Sequence, residues 1–136
     1  MSAVVLDASV AVALVVDEPH SGAAAEAAFD HDAIVPEAFW VEVSNALVRK
    51  VRRRTLSRQD ALAAFSLLHG LIEYSVPTEP LGAFALSLAL DLDHTVYDCL
   101  YLAAAVAHQA PLLTADRALY AKAVGAGYGP HVRLVV

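Results

Sequence analysis

Most of the fifteen acidic residues in this 136-residue chain sit in polar turns, where solvation accounts for them. Four do not. Asp7, Glu42, Asp98 and Asp116 each lie among apolar neighbours. Carboxylates brought together repel one another, so at least one would hold its proton to higher pH than usual. A hard divalent cation relieves that repulsion, and an all-oxygen donor set favours Mg2+ or Mn2+ over zinc. No histidine pair has zinc-site spacing, and one cysteine cannot build a thiolate site. The six histidines are scattered and read as surface groups or local hydrogen-bond partners. Ser9 and Thr114 stand two residues from Asp7 and Asp116. Short hydroxyls there either orient a carboxylate or a water at the metal, or cap a helix.

These acids need elements that carry them to one place. Asp7 follows the apolar run Val4-Val5-Leu6, and Asp116 comes shortly after Leu112-Leu113-Thr114. Both then sit at the carboxyl end of a strand, the edge where open parallel sheets bind ligands. Asp98 opens an apolar helix running from Val96 to Gln109. Helix capping is the plain alternative for each aspartate. Glu42 is expected in the middle of a helix that has Pro36 in its first turn and runs to about Arg54. It shares a face with Phe39 and Ala46, which implies partial burial, yet the nearest base, Arg49, is seven residues on. A metal ion would supply the missing partner.

Further helices are expected over Ala8–Val16, His20–Phe29, Ser57–Ile72, Pro80–Leu92 and Asp116–Val124. Short strands are expected at Ala33–Val35, Tyr74–Val76, Pro111–Thr114 and Val132–Val135. Strands this short and apolar, alternating with helices, imply an α/β fold with a parallel sheet covered on both faces. No linker divides the chain, so residues 1–136 form one domain.

A content of 58% hydrophobic and 18% charged residues excludes a disordered chain. Mean hydropathy is +0.53, but no clean apolar stretch of about 20 residues exists to span a membrane. Asp7 inside the first apolar run and the lack of a basic leader argue against a signal peptide. A single cysteine, Cys99, suits a reducing cytoplasm and packs in the core. The net charge of −6 conceals a basic run: six of the nine basic residues fall between Arg49 and Arg58. Arg49, Arg52, Arg53 and Arg54 are candidates for contact with a phosphate backbone, and a solvated helix end is the alternative. The apolar surplus on residues 8–29 and 36–73 suggests a homodimer and a groove for a partner helix.

Four segments together resemble a known family: Val4-Val5-Leu6-Asp7-Ala8-Ser9, Pro36 through Leu47, Thr95 through Ala104, and Leu113-Thr114-Ala115-Asp116. In order and spacing they are similar to PIN-domain nucleases, and most of all to the VapC toxins of toxin–antitoxin pairs. The resemblance implies a three-layer α/β/α fold with a central, mostly parallel sheet. It implies an endoribonuclease that needs Mg2+ or Mn2+ and hydrolyses phosphodiester bonds with a metal-activated water. It also implies dimerisation and inhibition by a small VapB-type antitoxin. Asp7, Glu42, Asp98 and Asp116 match the family's acidic metal-binding and catalytic set, and Ser9 and Thr114 match accessory polar positions. Asp7, Asp98 and Asp116 are then the expected ligands, and Glu42 is either a ligand or the base that orients the water. Cys99 stands where a small residue is more usual in the family.

Two readings within the family compete with the toxin: an RNA-processing PIN nuclease without an antitoxin, and an inactive PIN-like binding module. A phosphoacceptor receiver module is disfavoured because Asp7 stands alone and Lys122 falls inside a helix. A phosphatase with a paired aspartate motif is disfavoured by serine at position 9.

Overall fold

A computed structural model describes residues 2–136. Five strands form one sheet: β1 (Ala3–Leu6), β2 (Asp32–Pro36), β3 (Ile72–Val76), β4 (Leu112–Thr114) and β5 (Val132–Leu134). Their order is β3-β2-β1-β4-β5 and every pairing is parallel. Seven α-helices connect them: α1 (Ala8–Val15), α2 (Ser21–Ala28), α3 (Phe39–Arg52), α4 (Arg58–Leu71), α5 (Gly82–Leu92), α6 (Val96–Ala107) and α7 (Arg117–Gly125). Parallel strands need crossover connections, and these are right-handed. The chain steps one way from β1 to β3, then returns to β4 beyond β1. Right-handedness therefore sends α1–α4 to one face of the sheet and α5–α7 to the other. The expected α/β architecture is observed, with a sheet that is wholly parallel.

The buried stretches of the central strands are apolar because both faces are covered. Val4, Val5, Leu6, Ile34, Val35, Leu112 and Leu113 are fully buried. Cys99 lies in the same core, and burial first, then the Asp98 charge, pushes its thiol up to about 11. Among the described residues no helix is long and apolar enough to cross a membrane.

Three boundaries differ from expectation for physical reasons. Pro36 ends β2 instead of opening a helix. The N–H it lacks is not missed there, because the next one, of Glu37, donates to the Val76 carbonyl at 2.8 Å. The helix consequently starts at Phe39, and Glu42 lies in its first turn rather than mid-helix. Ile72 begins β3 directly out of α4, so that strand is two residues longer than its apolar pattern suggested. Pro80 belongs to a 3-10 turn, Glu79–Leu81, ahead of α5.

Candidate active site

The strand order reverses between β1 and β4, and their register pairs Leu6 with Leu113. The next residues out of the sheet are Asp7 and Thr114, and Asp7 N–H donates to the Leu113 carbonyl at 3.2 Å. Asp7 and Thr114 are the two buried polar residues among those described, and they are bonded to each other: the Thr114 hydroxyl donates to Asp7 Oδ2. Asp7 Oδ1 accepts from the Ser9 hydroxyl at 2.6 Å and from Val10 N–H at 3.0 Å. Asp7 is thus the N-cap of α1 and a site carboxylate at once. Burial raises its pKa; the three hydrogen bonds pull it down, and the Asp98 charge adds to the rise. Burial wins.

Three further helices begin at this same edge. Glu42 is in the first turn of α3, Asp98 in the first turn of α6, and Asp116 caps α7. Asp116 divides its labour. Its Oδ1 accepts from Ala118 N–H at 2.9 Å and Leu119 N–H at 3.0 Å, and its Oδ2 turns toward the site. Thr114 links the two aspartates, since its hydroxyl oxygen accepts from Asp116 N–H at 3.0 Å. Thr95 caps α6, leaving the Asp98 carboxylate free of capping duty.

Glu42 has a partner that its local sequence does not announce. The Tyr101 hydroxyl, on buried α6, donates to Glu42 Oε2 at 2.5 Å. Burial raises the Glu42 carboxyl, the Asp98 and Asp7 charges add to it, and the Tyr101 bond and Arg49 charge oppose it. Burial first, and then the Glu42 charge, push the Tyr101 phenol far up, so it remains a donor.

Asp7, Ser9, Glu42, Asp98 and Asp116 line one cleft of about 910 Å3, with Thr114 behind Asp7. The same lining holds three bases from the C-terminal end of α3: Arg49, Lys50 and the capping Arg53. Lys50 is engaged by Glu18 in an ion pair. Arg52 and Arg54, candidates for RNA contact along with Arg49 and Arg53, are exposed and do not line this cleft; Arg54 borders a separate hollow with Arg58 and Asp60. The helical period explains the split, since residues four apart share a face and Arg52 points elsewhere.

The histidines contain the residue that sequence reasoning passed over. His94 Nε2 lies 2.7 Å from Asp98 Oδ2 and 3.7 Å from Asp116 Oδ2. His94, Asp98 and Asp116 offer atoms all within 4.8 Å of one another, a group able to hold a metal ion. A signal was present: His94 precedes Asp98 by four residues, across the Thr95 cap.

A family model, the PIN domain, matches residues 4–125. Eight chains of solved structures also match. The crystal structure of PAE2754 from Pyrobaculum aerophilum superposes with a TM-score of 0.68 at 23% identity, covering 89% of this chain and 79% of that one. Identity at that level speaks for the fold alone. No curated protein matches the chain. The family match takes in four of the five strands and all four clustered carboxylates, and this chain belongs to the PIN-domain family, a metal-dependent nuclease fold.

Proposed function

We propose that this chain is a Mg2+- or Mn2+-dependent endoribonuclease, the toxin of a VapC-type toxin–antitoxin pair, held in check by a small VapB-type antitoxin. One observation carries the catalytic part: four carboxylates from four different elements line a single cleft together with Arg49, Lys50 and Arg53. Such a cleft suits a polyanion that must be cut beside a divalent ion.

The donor set fits that ion. Asp98 and Asp116 present oxygens close together, and burial, with a smaller push from the Asp98 charge, raises the Asp7 and Glu42 carboxyls. Asp7, Asp98 and Asp116 would hold the ion. When bound, it would polarise the phosphoryl group and ease deprotonation of an attacking water. The chain's own residues do the positioning. Ser9, Thr114 and the α1 amide fix the Asp7 carboxylate. Tyr101 fixes one oxygen of Glu42, leaving the other to ligate or to take a proton from water. Arg49 and Arg53 would neutralise phosphates as the strand passes.

The partner part draws on apolar side chains left in water on α3 and α4. Val41, Val48, Leu62, Leu67 and Leu71 are all exposed. Apolar surface of this kind would suit an apolar helix or a second copy.

The test is incubation of purified protein and Asp98→Asn with an RNA panel, with and without Mg2+ or Mn2+, mapping the cut ends. Internal cuts that need the ion, and fall at least about 100-fold in the variant, are expected for loss of one electrostatic group at a reacting centre. Metal-independent cutting, or full activity in Asp98→Asn, would overturn the reading. If a small antitoxin-like protein is encoded beside it, co-expression with that protein should abolish cutting. A lack of any inhibitory neighbour would favour an RNA-processing nuclease.

A further inference from the structure

His94 reaches the carboxylates from an unusual base. Asp93 closes α5 in the left-handed conformation, with φ of 50°, a region that aspartate tolerates better than most residues. The turn is tied down by His94 N–H, which donates to the Ala89 carbonyl at 3.1 Å. It projects the imidazole into the gap between α6 and α7, where its side chain is only 12% exposed.

Lys122 then determines which imidazole nitrogen carries the proton. Its ammonium, on α7, donates to the Asp93 carbonyl at 2.7 Å and lies 3.3 Å from His94 Nδ1. An ammonium has donors only. His94 Nδ1 must therefore be the bare, accepting nitrogen, because a proton there would face the Lys122 N–H groups. The ring's one N–H is then at Nε2, aimed at Asp98 Oδ2 and toward Asp116 Oδ2. A protonated Nε2 has no lone pair for a metal.

Resting on the metal-dependent reading above, we propose that His94 is a positioning residue rather than a metal ligand: held by Lys122 in the Nε2–H form, it aligns the Asp98 and Asp116 carboxylates for a divalent cation. Lys122 acts one step further out, through His94, and at the same time ties α7 to the end of α5. Donors behind ligating carboxylates are known to govern metal affinity in general.

Long-range proton–nitrogen correlation spectra of histidine-labelled protein test this directly, with His94 assigned by the signals lost in His94→Gln. Metal-free wild type near neutral pH should show a bare Nδ1 and a protonated Nε2, and saturating Mg2+ should leave that pattern unchanged. In Lys122→Met the two tautomers should mix. By calorimetry, His94→Ala should weaken Mg2+ binding about 10- to 100-fold, and His94→Gln, whose amide N–H can replace Nε2–H, should recover most of that loss. A ring that loses its Nε2 proton when Mg2+ binds, a Lys122→Met spectrum identical to wild type, or His94→Gln as weak as His94→Ala would overturn the proposal. If His94→Ala does not fold, the spectra of wild type and Lys122→Met decide the matter. Absence of Mg2+ binding by wild type would overturn the functional reading instead, while the metal-free spectra still judge the His94 arrangement.

Discussion

Asp7 concentrates the electrostatic conflict of the molecule in one side chain. It is 8% exposed, yet it is served by donors from three different residues. Hydrogen bonds to a charged group are worth about 1.5–3 kcal/mol each. Thr114→Val keeps the shape and removes the hydroxyl shared by Asp7 and Asp116. It should therefore cost about 1.5–3 kcal/mol in urea unfolding where Asp7 is ionised, and the cost should shrink in an Asp7→Asn background. An equal cost in both backgrounds would assign the loss to packing. The pH dependence follows from the same residue. Asp7 and Glu42 titrate in the folded chain above their ordinary values of 3.8 and 4.5. The folded state then binds more protons than the unfolded one across that window. The stability this contributes is full below the ordinary values and is lost as pH rises through the raised ones. Metal-free wild type should accordingly lose stability relative to Asp7→Asn as pH rises above about 4. A difference between the two melting curves that does not vary with pH would mean that Asp7 ionises normally.

At the scale of elements, α3 brings both signs of charge to the cleft. Its first turn supplies Glu42, and its last turns supply Arg49, Lys50 and Arg53. The basic end also suits the negative end of the helix dipole, so charge alone does not separate a structural from a binding role. Direction does. Each phosphate contact to single-stranded RNA contributes about 0.7 to the slope of log affinity against log salt. Replacing Arg49 and Arg53 by Gln should flatten that slope by about 1.4 and weaken binding to all sequences alike. Replacing Arg52 and Arg54 should change it less, because neither lines the cleft. Filter binding of Asp98→Asn to RNA over a salt series compares the two pairs, and equal slopes would remove α3 from the substrate path.

For the whole molecule, the proposed ion and the proposed protein partner would each bear on stability. Mg2+ at roughly 100 times its Kd should add about 2.7 kcal/mol by mass action, on the order of 10 °C in Tm for a chain of this size. Thermal melts should show a smaller shift for Asp7→Asn; equal shifts would separate Asp7 from the ion. The second proposed ligand is another protein. Phe29 on the α2 side and Leu62, Leu67 and Leu71 on α4 stay exposed after the sheet is covered. The chain should run as a homodimer by light scattering at micromolar concentration, and a monomer there would defeat that expectation. Charged substitutions at Leu67 and Leu71 should dissociate it while leaving the cooperative melt of the fold intact, since neither side chain is part of the core.

An acid among apolar neighbours is anomalous within a few residues, so Asp7, Glu42, Asp98 and Asp116 could be singled out as candidates from the sequence alone. Short apolar strands separated by helices likewise determined a parallel sheet with both faces covered, because no other arrangement hides such strands. Boundaries were harder where one residue suits two roles: Pro36 is at home in a helix's first turn, but the ladder to β3 claims it as a strand end, and that moved Glu42 to the start of α3. What only the tertiary structure decided is which groups serve the acids. Tyr101 meets Glu42 across 59 residues of chain, and Lys122 meets His94 across 28. Such partners come from elements that become neighbours only when the crossovers carry α6 and α7 to the edge where α1 and α3 begin. Local sequence records a residue's chemistry, and the fold alone sets what that chemistry faces.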